Sequence, residues 1–288
     1  MESSVVRQQV PTPERVRAAA TLLLDPSPRV HEACADQLLR WGAVARAPLE
    51  SLCEAGDAES NARVRAVLRR LNVRCWVASF RDFVGGQPID LETGLLHVAR
   101  LPRPLLDLRR VVAQLDEWAD ALRPRVEGLG TRRVVSALAQ FFRDDLGFRG
   151  DNRRYYDPGN NFLDQVLRRR RGVPISLCAV YVLVGRRVGL PIEGVGLPGH
   201  FILRMRGARS VLLDPFHGGR VLTRRDCIER IQAMGYSFHE SLLEGVTDAR
   251  MLIRSLGNLL HTLGCCEDEE LVTALQEARQ AIADSTTD

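Results

Sequence analysis

The sequence predicts an α+β fold: a small antiparallel sheet set against a buried helix, with α-helical segments at both ends. Three observations carry this. The stretch "GVPISLCAVYVLVGRRVG" is apolar nearly all round and reads as a buried helix from Pro174 to Val188. Just beyond it, "HFILRM" alternates as a strand does, and "SVLLDPFHGG" reads as a second strand stopped by Asp214-Pro215 and a Gly-Gly turn. Residues 12–83 and the stretch from 247 onward show helical spacing alone.

Taken in order, "DPSPRVHEACADQLLRWGAVARAPLESLCEAG" opens on Asp25-Pro26, which stops one helix and starts the next, and Ala33, Leu38 and Leu39 then share a face. "ESNARVRAVLRRLNVRCWVASF" repeats the pattern with Val64, Val67, Leu68 and Leu71. Paired short helices with Asp-rich turns resemble HEAT-type repeats, which leads us to expect a helical, HEAT-like segment over residues 1–84. "FVGGQP" at 83–88 marks its end, because Gly-Gly-x-Pro breaks regular structure. Amphipathic helices follow in "DLETGLLHVARL", "LDLRRVVAQLDEWADALRPRV" and "RRVVSALAQFFRDDLGF", then a polar loop, "RGDNRRYYDPGNNF". After the helix and strands named above, Thr223 with Asp226 forms a near capping box for "TRRDCIERIQAMG". We read 85–240 as one core domain and 241–288 as a C-terminal helical pair.

Composition narrows the function. Of 288 residues, 45% are hydrophobic and 26% charged, ordinary for a soluble globular protein. No apolar run approaches the roughly 20 residues a bilayer requires, and the N-terminus has no apolar signal core. A cytoplasmic location without membrane contact is expected. All 40 basic residues are Arg, which excludes lysine Schiff-base chemistry and a P-loop lysine. We read this as the mark of a GC-rich bacterial genome. The net charge of +4 is small and acids are interspersed, so nucleic-acid binding is not indicated. Cys34, Cys53, Cys75, Cys178, Cys227, Cys265 and Cys266 contain no C-x-x-C pair. A disulfide framework or zinc ribbon is therefore not expected, nor is any metal or cofactor. The oligomeric state is not fixed by the sequence.

The candidate chemistry lies at the helix–strand junction. Cys near a helix start, His opening one strand and Asp ending the next is the layout of a papain-like or transglutaminase-like thiol enzyme. A thiol at a helix N-terminus has its anion favoured by unpaired N–H groups, His takes the proton, and a carboxylate holds the imidazole. His200 and Asp214 suit the second and third roles. Cys178 suits the first poorly. It lies four residues inside the helix that Pro174 opens, about 400° further round, so it shares Pro174's face. Its apolar neighbours would raise its pKa rather than lower it. A buried core cysteine is the reading we favour, with His200 and Asp214 open to either a site role or a structural one.

At this point a resemblance can be stated. Residues from about Asp90 to Gly257, through "YYDPGNNFLDQVLRRRRGVPISLCAVYVLVGRRVGLPIEGVGLPGHFILR" and "LLDPFHGG", resemble the SirB-type transglutaminase-like family. The resemblance implies a transglutaminase-like core, commonly ending in tetratricopeptide-like helices. Catalytic members of the wider superfamily read Gly-x-Cys, Gly-Ile-Pro, Gly-His and Asp-Pro. Here Gly172-Val173-Pro174, Gly189-Leu190-Pro191, Gly199-His200 and Asp214-Pro215 fall in register. The resemblance thus implies that Pro174 occupies the nucleophile position while His200 and Asp214 are kept.

Two further motifs bear on function. Tyr155, Tyr156, Asn160 and Asn161 place hydrogen-bonding side chains just before the helix, where they would bind a peptide backbone or the loop itself. Arg168–Arg171 reads as a solvated helix face pairing with Asp164 and other acids, in preference to a phosphate or nucleic-acid contact. His217 near His200 raises a metal pair, but no further ligand sits at useful spacing. Two functions remain: a catalytically degenerate module that binds a protein or peptide partner, which we favour, and a thiol protease or acyl transferase using Cys178, His200 and Asp214.

Overall fold

The computed structural model describes residues 11–55, 58–86, 88–264 and 269–286; Cys265 and Cys266 lie outside the described residues. The chain divides into two compact units, residues 1–79 and 80–288.

The first unit is helical. It holds α1 (Pro13–Thr21), α2 (Pro28–Trp41), α3 (Arg46–Ala55) and most of α4 (Ala58–Gly85). Thr12 caps α1 with Pro13 at its first position. Val16, Leu23, Leu38, Leu49, Val64 and Leu71 form its core. Two expectations need correction. Ala33 is exposed, and Cys34 and Ala35 pack on the core in its place. The last helix is not short: it spans 28 residues and runs through the first glycine of the Gly-Gly pair.

The second unit opens with α5 (Leu91–Arg100), α6 (Leu108–Val126) and α7 (Thr131–Gln140), the last extended by a π-turn over Phe141–Asp145. A two-residue parallel ladder joins β1 (Arg149–Gly150) to β2 (Arg171–Gly172), bracketing the polar loop and α8 (Leu163–Arg169). Next comes α9 (Pro174–Arg187), in which every side chain from Pro174 to Val184 is buried. That is the burial its all-round apolar sequence demands.

The sheet is an antiparallel meander of β3 (Ile192–Leu197), β4 (His200–Met205), β5 (Val211–Asp214) and β6 (Arg220–Leu222), in that order. β4 and β5 match the two strands read from the sequence, while β3 and β6 were not anticipated. Leu197 pairs with His200 across a two-residue turn. Gly199 holds φ +64° there, a left-handed conformation that favours glycine. Val195, Leu197 and Ile202 pack with Leu222, Cys227 and Ile231, the last two from α10 (Arg224–Ala233). α9 also packs against β3 and β4. α11 (Asp248–Thr262) and α12 (Glu269–Ser285) pair at the C-terminus, and α11 also packs on α5 and α9.

The arginine run pairs with an acid as expected, but not with Asp164. Asp164 pairs with Arg103, whereas Arg169 grips Asp157 with both terminal nitrogens, at 3.2 and 2.6 Å. Arg170 turns left-handed (φ 55°) and stacks over Trp118 at 4.1 Å. Arg168 stays exposed, bonded to Gln165 at 2.6 Å, while the other three are half-buried.

Candidate functional site

The hairpin and the start of α9 place His200 and Pro174 on the wall of one cavity of about 370 Å³. Ser176 fixes that junction: its Oγ donates to the carbonyls of Asn160 (2.7 Å) and Val173 (3.0 Å). This ties the preceding loop to the first turn of α9.

Behind the cavity wall sits Asp214, 1% exposed, at the end of β5. Its Oδ2 lies 2.8 Å from His200 Nε2 and 2.8 Å from His217 Nδ1. Its Oδ1 accepts from the backbone N–H groups of Phe216 (3.1 Å) and His217 (3.4 Å), because Asp214 also caps the short 3₁₀ turn Pro215–His217. Burial pushes this carboxyl's pKa up, but the bonds from the two imidazoles outweigh it and hold the pKa below the ordinary value. Ligand atoms of His200, Asp214 and His217 all lie within 4.8 Å of one another, so this trio could hold a divalent cation. The four donors already satisfy the carboxylate without one.

Cys178 is fully buried, one turn inside α9, and its Sγ–H points at the Phe201 carbonyl 3.5 Å away. Burial pushes the thiol's pKa well up, and the charge of Asp214 pushes it further. The sulfur lies within the core between α9 and β4, and the cavity wall at that point is formed by Val173, Pro174 and Ile175.

The loop residues separate. Tyr155 and Tyr156 line the cavity, their rings edge-to-face at 5.3 Å, and burial raises the pKa of Tyr155. Asn160 and Asn161 are buried. Asn160 donates to the Arg154 carbonyl at 2.6 Å and Asn161 donates to Thr262 Oγ1 at 3.4 Å, so both hold the loop in place. The cavity's remaining polar wall was not foreseen. It comes from α11: Arg254, Asn258, His261 and Thr262. Their i, i+4, i+7 and i+8 spacing makes one stripe. In the sequence this stripe was the available signal, masked by the stronger apolar stripe of Leu252, Leu256 and Leu259, which are all buried.

A buried helix running under a hairpin, with a His–Asp pair reaching across the helix N-terminus, defines a transglutaminase-like protein. Residues 109–257 match the family model of the transglutaminase-like superfamily, and the chain belongs to that superfamily. Among bacterial relatives, a UPF0162 protein of Xylella fastidiosa is 35% identical over 151 residues, covering 52% of this chain and 54% of that one. A UPF0162 protein of Pseudomonas aeruginosa is 32% identical over 179 residues, 61% of this chain and 60% of that one. F-box only protein 21 of Homo sapiens is 29% identical over 209 residues, 60% of this chain but 33% of its own length. The chain thus spans about half the length of the first two and a third of the last. No solved structure matches. Among the described residues, no helix is long and apolar enough to cross a membrane.

Proposed function

We propose that this protein is a catalytically degenerate transglutaminase-like module, cytoplasmic, whose cleft binds a peptide segment of a partner protein. One observation carries the reading: the cavity that contains His200 is walled by Pro174 where a nucleophile would stand, while Cys178 Sγ is buried and hydrogen-bonded to the Phe201 carbonyl. The His200–Asp214 pair then has no thiol to activate and serves to fix the hairpin to the turn beyond β5. Tyr155, Tyr156, Asn258 and Thr262 offer the cavity aromatic faces, an amide and hydroxyls, the groups that hold a peptide backbone. The helical segments at both ends, HEAT-like and tetratricopeptide-like in sequence, are proposed to carry further protein contacts.

The competing reading, a thiol protease or acyl transferase, requires Cys178 to be nucleophilic. The two separate by alkylation. Native protein is treated with iodoacetamide at neutral pH and the modified sites are mapped by mass spectrometry. Cys178 stays unmodified until denaturant is added. Fast native modification at Cys178, abolished in His200→Ala, would overturn the proposal.

A further inference from the structure

The cavity lining has an unbalanced charge. It contains the Arg254 guanidinium and the imidazoles of His200 and His261, and no Asp or Glu. The carboxylate behind the wall, Asp214, already accepts from four donors. Arg254 reaches two backbone carbonyls, Leu197 at 3.5 Å and His200 at 3.4 Å, both long and both from a single terminal nitrogen. Several half-buried arginines of this unit are paired with acids, Arg186 with Asp248, Arg187 with Glu92 and Asp116, Arg204 with Glu193, while Arg170 stacks on Trp118 and Arg171 reaches the Gly147 and Arg170 carbonyls away from this cavity. Among the described residues Arg254 pairs with no carboxylate. A half-buried guanidinium with spare donors, facing a cavity without acids, is arranged for an anion from outside.

We infer that the cleft takes a carboxylate of its ligand on Arg254, and that the ligand is the free C-terminal end of a peptide. The inference rests on the peptide-binding reading above and adds the chemistry of recognition. Guanidinium geometry matches a carboxylate's two oxygens. Asn258, one helical turn further along α11, stands on the same stripe with its amide available to the last backbone amide, while the Thr262 hydroxyl one turn beyond is held by the Asn258 carbonyl and Asn161. α9 opens beside them without a side-chain cap, and its first residues wall the same space. A cavity of about 370 Å³ has room for a chain end rather than for a folded segment.

The test uses the full chain and three random hexapeptide pools. The first lacks Asp and Glu and ends in a free carboxylate, the second is the same pool amidated, and the third is amidated but includes Glu. Retention on immobilised protein and fluorescence anisotropy read the binding. The free-acid pool is expected to bind roughly tenfold or more tighter than its amidated twin, the worth of a charge-assisted hydrogen bond. Arg254→Gln should erase that preference, while Arg254→Lys, which keeps the charge, should retain part of it. Circular dichroism melts of both variants confirm that they fold. If the amidated Glu pool binds like the free-acid pool, the carboxylate contact stands but the chain-end assignment falls. Equal binding of free-acid and amidated pools, unaffected by Arg254→Gln, overturns the inference and leaves peptide binding intact. No binding of any pool overturns both.

Discussion

Asp214 joins more of the site than any other side chain, because a single buried carboxylate accepts from two imidazoles and two backbone amides. Its pKa is lowered in the folded state, since the imidazole bonds outweigh burial. A carboxyl lowered in this way contributes stability above its unfolded value, about 3.9, and that share is lost as pH falls through the folded value. The window is therefore acid, below about pH 4. Asp214→Asn places an amide donor against the imidazole nitrogens, and we expect a loss of about 3 kcal/mol at neutral pH. Urea titrations at pH 7 and at stepwise lower pH check this. The gap between wild type and variant should close in acid, and a constant gap would disprove the linkage. Asp214 and His200 were legible in the sequence because Gly199 and Pro215 punctuate the strand ends beside them. Arg254 was not, because one polar residue on an amphipathic helix looks like any solvated position until the fold puts a cavity over it.

At the scale of elements, the packing of α5 against α11 hinges on a missing side chain. A Cβ on Gly94 would lie 2.4 and 2.7 Å from the two methyls of Leu252 and 3.1 Å from its Cγ. Leu252 is itself fully buried and has no solvent to swing into. Gly94→Ala gains about 1 kcal/mol of helix propensity but overpacks this contact, so a net loss of about 1–2 kcal/mol is expected. Leu252→Ala in the same chain should offset part of that loss, giving a double-mutant cycle that is not additive. Additivity would show that the two helices do not meet through this pair. A similar closeness hid β3 from the sequence reading. Gly194 interrupts the strand pattern because a Cβ there would come within 2.7 Å of the Phe201 ring and 2.9 Å of the Met251 sulfur. Glycines demanded by close packing are thus easily mistaken for a turn. By contrast α9, β4 and β5 were legible because each shows one period, or uniform apolarity, without interruption.

For the whole molecule, the division of the chain and the location of the cleft make one claim together. All the residues that wall the cavity lie between Tyr155 and Thr262. The superfamily match spans 109–257, and the compact unit that contains both begins at Phe80. The core of the first unit, from Val16 to Leu71, is closed by its own residues. If the cleft is complete within the second unit, the first contributes nothing to ligand affinity and is free to serve another contact. Removing residues 1–79 takes away α1–α3 and most of α4, the elements that form the first unit's core. The shortened chain should bind the free-acid peptide pool within about twofold of full length, a shift far smaller than a single charged contact is worth. Partners captured by the full chain but not by the shortened one would then be assigned to the N-terminal helices. A loss of peptide binding of about tenfold or more, with the circular dichroism spectrum of the shortened chain still folded, would mean that the N-terminal unit takes part in ligand binding.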